Sequence, residues 1–189
     1  MAIEASAAPA AGGRIRLGMV GGGEGAFIGA VHRIAARIDD RFTLVAGALS
    51  STPEKARRSG AALGLDPDRI YDDFAAMARA EAARPDGIQA VAIVTPNHMH
   101  AAAAVAFLDA GIHVICDKPL SATLEDARTL AAAVKRSGKV FVLTHNYTGY
   151  PLIRQAREMI AAGELGTLRY VQSEYVQDWL TEAAEANGS

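Results

Sequence analysis

The stretch "MVGGGEGAFIGAVH", residues 19–32, sets five glycines between an apolar run and a helical pattern. A strand, a glycine-rich turn and a helix in that order suit a nucleotide diphosphate. The first glycine allows a tight turn, the second lets backbone approach the phosphates, and the third lets the helix pack closely on the strand. Gly21 and Gly23 fill the first two places. The third falls on Ala26 in one register; in the other it falls on Gly29, and "EGAFI" becomes an enlarged loop. In both, the backbone at Gly21, Gly23, Ala26, Phe27 and Ile28 forms the candidate cradle, because amides at a helix start point toward an anion. Glu24 is an awkward neighbour for phosphate and is expected to face solvent. Taken alone the motif is equally a slack connection, so the flanking chain has to decide.

From Arg14 onward, short apolar runs alternate with helical patterns, as in a parallel sheet covered on both faces. Six strands are predicted: "RIRLGMV", "FTLVAGAL", "RIY", "QAVAIVT", "HVIC" and "KVFVLT". In the first helix Phe27, Ile28, Val31, Ile34, Ala35 and Ile38 recur at helical spacing and are expected to form the buried face. Further helices are predicted over 53–63, 73–83, 101–109 and 124–136, the last opened by a Thr123–Asp126 capping box and closed by Gly138. The fold class is therefore α/β, a doubly wound parallel sheet of the Rossmann type, over residues 14–145. Residues 1–13 read as a disordered tail. Residues 146–189 hold one helix (151–162) and one long alternating strand, "TLRYVQSEYVQ", too little to bury a core alone. They read as the incomplete start of a second, α+β domain for substrate and oligomer contacts.

With 189 residues, half of them hydrophobic, and a net charge of -2, the chain has an ordinary globular composition and no field to attract nucleic acid or an anionic membrane. Its apolar runs are too short to cross a bilayer. The single cysteine, Cys116, excludes an internal disulfide and a cysteine-rich zinc site and fits a cytoplasmic protein. His98 and His100 lie two apart without further spaced ligands, so no metal site is expected.

The second half of a dinucleotide fingerprint is a carboxylate at the end of the second strand, which holds the ribose hydroxyls of NAD. That place holds Ser50 and Ser51, with Lys55 and Arg58 close behind. Hydroxyls and cations accept the 2'-phosphate that a carboxylate repels, so NADP is preferred over NAD. The competing reading of these residues is an ordinary helix start with solvated cations.

One longer stretch carries a family likeness: "VTPNHMHAAAAVAFLDAGIHVICDKPL", Val94 to Leu120. A strand ending in Thr-Pro-Asn, a histidine three residues on, and a second strand running into an acidic-Lys-Pro turn resemble the Gfo/Idh/MocA oxidoreductases. The resemblance implies a Rossmann domain followed by an α+β domain, and NAD(P)-dependent hydride transfer at a hydroxyl of a sugar, inositol or related polyol. It implies that Thr95, Pro96, Asn97, His100 and Asp117 lie along the cofactor, that Lys118 is catalytic and touches both substrate and cofactor, and that Pro119 is cis. Asn146 and Tyr147 would line the substrate pocket, and the complete protein would be a homo-oligomer. The bottom-up reading agrees on one point: a lysine at the C-terminal end of a parallel strand sits where open α/β sheets bind ligands. Without the likeness, Lys118 reads as a surface lysine beside Asp117.

Two features depart from the family's pattern. Asp117 stands where the family carries glutamate, and no Asp/His acid-base pair follows the predicted strand over 167–177. The alternative functions are accordingly a non-catalytic dinucleotide-binding module or truncated fragment, and a structural protein that keeps the fold around an empty site.

Overall fold

The computed structural model describes residues 13–178. Residues 1–12 and 179–189, which include nearly all of the expected disordered tail, lie outside the described residues. The chain divides into two compact units, with the boundary after His145.

The first unit is a five-stranded parallel sheet in the order β2-β1-β3-β4-β5. Its strands are β1 (Ile15–Gly21), β2 (Phe42–Ala48), β3 (Ala90–Val94), β4 (His113–Cys116) and β5 (Phe141–Leu143). The helices are α1 (Phe27–Ile38), α2 (Pro53–Ala62), α3 (Phe74–Ala83), α4 (His100–Asp109) and α5 (Leu124–Ser137). β3 is buried along its whole length, as its unbroken apolar run requires. Val91 and Ile93 share a core with Met77, Phe107 and Leu130, from α3, α4 and α5. Ala90, Ala92 and Val94 share another with Leu17 and Met19, flanked by Ile28 and Ala36 of α1. Two cores fed by alternate residues of one strand are the mark of a doubly wound sheet. The chain leaves β1 toward β2 and returns to place β3 on the other side, so the topological switch point lies between β1 and β3.

Caps end the helices where the sequence places them. Thr123 Oγ1 accepts from the Asp126 amide at 3.1 Å, and Gly138 closes α5 at φ +63°. The Asp126 carboxylate accepts from the Thr123 hydroxyl at 2.7 Å, the reach left to a side chain one methylene shorter than glutamate. Asp73 caps α3, accepting from the Ala76 amide.

Three expectations are corrected. "RIY" is not a strand: Pro67–Arg69 form a single 3-10 turn, and Ile70 makes only an isolated bridge to Gly47. Asp66 caps that turn through the Asp68 amide, which holds the backbone out of the ladder, and the sheet has five strands rather than six.

Most of the apolar stripe of α1 is turned outward, with Ile28 alone of the six packed against the core. Phe27, Val31, Ile34 and Ile38 are exposed, Phe27 at 81% and Ile38 at 75%, while Gly29 is the buried residue. Close approach to β1 selects the helix's smallest residue, and the bulky stripe is turned away.

The segment over 167–177 forms no strand. It has no ladder partner among the described residues, and a strand exists only as a member of a ladder. This segment belongs to the second unit, which begins at Asn146 with a short helical turn and helix α6 (Pro151–Ala161). Within it the Tyr147 ring packs edge-on against Tyr150 and Tyr175, and the Tyr147 and Tyr175 hydroxyls are 2.6 Å apart.

A buried ion pair ties together the α3 side of the first unit. Glu81, fully enclosed, pairs through both oxygens with Arg69 and also accepts from Tyr71 Oη at 2.8 Å and from the Ile88 amide at 3.0 Å. Removing one member of such a pair leaves an uncompensated buried charge, so Glu81→Gln is expected to destabilise the chain by roughly 3–5 kcal/mol, read from urea unfolding. Burial, reinforced by the bond to Glu81, pushes the Tyr71 phenol up to about 12 from 10.0. The folded state thus favours the neutral phenol. Its contribution to stability is intact below pH 10.0 and lost as pH rises toward about 12, which phenolate absorbance and unfolding followed together will show. Cys116 is buried, with its thiol pushed up to about 12, first by desolvation and then by Asp117. At neutral pH it should react with a thiol reagent only after unfolding.

Candidate functional site

The glycine turn leaves β1 at the switch point. Gly21, Gly22 and Gly25 all have positive φ, at +78°, +72° and +78°, a region that other residues enter at a cost. A Cβ on Gly29 would lie 2.3 Å from the Gly22 Cα and 2.6 Å from its carbonyl oxygen. Gly29 is therefore the residue that lets helix meet turn. Of the two registers, the enlarged loop is the one that forms, with Ala26 as the N-cap of α1.

The turn is fixed from several directions. Gly23 donates to the Leu49 carbonyl at 3.2 Å, the Glu24 amide to Ser59 Oγ at 3.0 Å, and the Ala26 amide to the Gly23 carbonyl at 3.0 Å. Arg33 of α1 donates back to the Gly22 carbonyl at 2.7 Å. The amides of Gly23, Glu24 and Ala26 are thus spent on acceptors within the protein. Those of Phe27, Ile28 and Gly29 open α1, where the helix offers no acceptor, and they have no other backbone partner among the described residues. Between the turn, α1 and α2 lies a cleft of about 610 Å³ lined by residues 22–27 with Ala30, Arg33, Arg58 and Ser59. Glu24 is exposed, as expected, and its carboxylate also meets Arg58 at 3.3 Å on the cleft rim.

At the end of β2, Ser50 Oγ accepts from the Thr52 amide at 3.1 Å and Ser51 is exposed. Lys55 is half-buried on the first turn of α2.

Across the switch point β3 ends at Val94. Thr95 Oγ1 is buried without a hydrogen-bond partner among the described residues, and a Cβ on Gly21 would come within 3.2 Å of the Thr95 methyl. A buried hydroxyl with no partner beside a glycine turn is what a polar ligand would satisfy. Together with the first-turn amides, it is compatible with a nicotinamide dinucleotide. Pro96, Asn97 and His98 are exposed. His100 is not: it is 1% exposed, and both its ring nitrogens face backbone carbonyls.

Next along the edge, β4 ends in the turn carrying Asp117, Lys118 and Pro119. The Lys118–Pro119 peptide is cis, and Lys118 is exposed. Asp117 is held by its amide to the Ile93 carbonyl at 2.9 Å and by its carboxylate, which accepts from Thr144 Oγ1 at 2.8 Å and lies 3.4 Å from His32 Nε2. Sequence reasoning gave His32 and Thr144 no place in the site, because their partner is 85 and 27 residues away and neither belongs to a recognisable spacing. Asn146 and Tyr147 belong to the second unit and open its short helical turn.

The first unit thus brings the glycine turn, Thr95 and the Lys118 turn to one edge of one sheet. A family described as "Oxidoreductase family, NAD-binding Rossmann fold" (Gfo/Idh/MocA) matches residues 15–145. The structure is similar to that of an oxidoreductase from Sinorhizobium meliloti, with TM-score 0.86 and 67% identity, covering 90% of this chain and 47% of the other. It is also similar to an inositol dehydrogenase homolog from Azotobacter vinelandii complexed with NADH and myo-inositol, with TM-score 0.79 and 50% identity over 82% of this chain and 41% of that one. Among curated relatives, levoglucosan dehydrogenase of Pseudarthrobacter phenanthrenivorans is 32% identical over 87% of this chain and 42% of its own length. The chain therefore spans under half the length of these relatives. On its fold, its two motifs and these matches, the chain belongs to the Gfo/Idh/MocA family of oxidoreductases with an NAD-binding Rossmann fold.

Proposed function

We propose that the chain is the cofactor-binding part of an NAD(P)-dependent dehydrogenase that acts on a hydroxyl, or the corresponding carbonyl, of a sugar, inositol or related polyol. One observation carries this reading: the Lys118 turn and the glycine turn share the C-terminal edge of the sheet on the two sides of its switch point. The relatives solved with NADH and myo-inositol, or named for levoglucosan, support the substrate class.

In this reading the α1 amides at Phe27 and Ile28 hold the diphosphate, and Gly21 and Gly23 shape the turn that presents them. Thr95, Pro96, Asn97 and Asp117 border the cofactor along the edge. When bound, the nicotinamide ring supplies the hydride acceptor. The Lys118 ammonium donates a hydrogen bond to the substrate oxygen and stabilises its negative charge as the C–H bond breaks. Asn146 and Tyr147 contribute to the substrate side. The proton leaves the hydroxyl to a base supplied by the whole protein, which is proposed to be a cytoplasmic homo-oligomer. NADP is the preferred cofactor, since no carboxylate stands at Ser50 or Ser51 and Lys55 lies close by.

The cofactor preference is the sharpest point to test, because the Azotobacter relative was solved with NADH. Fluorescence titration is expected to show NADPH binding about tenfold more tightly than NADH, and Ser51→Asp should reverse that order. Equal or inverted affinities in the unaltered chain would remove the NADP preference, and no saturable binding of either nucleotide would favour the structural alternative. For the hydride step, reduced nicotinamide formed from NADP+ with a panel of polyols is the readout. Lys118→Ala is expected to lower the rate by about 10²–10³-fold while nucleotide binding persists. Nucleotide binding without turnover of any polyol would favour the non-catalytic module.

A further inference from the structure

Arg33 stands on α1, one helical turn after the glycine that packs against the loop, and is half-buried. Its Nη1 donates to the Gly22 carbonyl oxygen at 2.7 Å and also meets Met19 Sδ at 3.4 Å. The same oxygen lies against Gly29, where an added Cβ would be 2.6 Å from it. Glycines on both sides leave the Gly22–Gly23 peptide free to rotate at little steric cost. Its orientation therefore depends on its two bonds. Arg33 holds the carbonyl against the flank of α1, and the Leu49 carbonyl accepts from the Gly23 amide at 3.2 Å.

A neutral donor would be enough for that bond, whereas Arg33 brings a full positive charge. Two arginines line the cleft between the turn, α1 and α2, and Arg58 is paired there with Glu24 at 3.3 Å. Arg33 has no carboxylate within ion-pair distance among the described residues; its hydrogen-bond partners there are the Gly22 oxygen and the Met19 sulfur. A half-buried cation without a counter-ion is destabilising in the free protein, and it is screened by salt less than an exposed one. An anion received at the turn offsets that cost. The first-turn amides of α1 favour the same sign of charge.

We propose that Arg33 is a positioning residue for the cofactor's diphosphate: it keeps the Gly22 carbonyl turned to the helix and away from the phosphates, and its unneutralised charge draws the diphosphate to the α1 amides. The assignment rests on the proposed function and adds to it a residue outside the glycine motif. Because the diphosphate is common to NAD and NADP, Arg33 strengthens the binding of both alike and leaves the choice between them to the end of β2.

Fluorescence titration of NADH and NADPH against Arg33→Gln, which removes the charge and keeps an N–H donor, provides the first test. Both nucleotides are expected to bind about tenfold more weakly in ~10 mM salt, where charges act over about 30 Å, and less than about threefold more weakly near ~1 M, where that range falls to about 3 Å. Arg33→Lys, which keeps the charge, should recover most of the loss. A loss equal at the two salt concentrations, a loss that Arg33→Lys does not reduce, or one confined to a single nucleotide would overturn the proposal. The unaltered chain provides the second test and decides the matter if Arg33→Gln fails to fold. With 15N-arginine labelling, the Arg33 Nε–H resonance is expected to move and saturate as inorganic pyrophosphate is added, and a resonance that stays still would defeat the proposal. Nucleotide binding indifferent to Arg33 removes this inference alone. If the unaltered chain binds neither nucleotide, the proposed function fails, and the pyrophosphate titration still shows whether Arg33 serves an anion.

Discussion

The contact between Gly22 and Gly29 is the constraint on which the first unit depends. No side chain fits between them, since a Cβ on either would come within 2.9 Å of the other's backbone. Because helix and turn meet backbone to backbone, α1 starts close over the end of β1 and its first amides open onto the switch point. The same contact explains why the helix buries its smallest face. Arg33, on the neighbouring turn of the helix, then reaches the Gly22 carbonyl and locks the arrangement.

From that contact outward, the edge of the sheet is built by bonds between elements remote in sequence. Ser59 of α2 holds the Glu24 amide, and Leu49 at the end of β2 holds Gly23. Thr144 after β5 and His32 of α1 converge on Asp117. The Asp117 carboxylate thus has partners from α1 and from the segment after β5. Against these satisfied groups, the Thr95 hydroxyl stands out as buried without a partner among the described residues.

Much of the fold was legible in the sequence because it is written in local terms. The fully apolar β3, the Thr123 cap and Gly138 exit of α5, and the glycine turn each follow from short-range pattern and backbone sterics. Lys118 at the end of a strand was legible for the same reason, once the strand and turn were recognised. The misreadings are equally instructive. The regular apolar stripe Phe27, Val31, Ile34 and Ile38 obeys helical periodicity, yet periodicity cannot say which face meets the sheet. "RIY" has strand-like residues, but Asp66 and Pro67 set a 3-10 turn just before it. The alternation over 167–177 describes a strand only in the company of another.

The sequence by itself determined the parallel doubly wound class, the glycine turn and the position of Lys118 at the end of a strand, because each is governed by contacts within a few residues. Tertiary structure alone decided which glycine packs, which face of α1 is buried, and which side chains brace the Lys118 turn. Those outcomes depend on distances between residues as far apart as His32 and Asp117. Such distances are set by the packing of whole elements, and nothing in the spacing of residues along the chain encodes them.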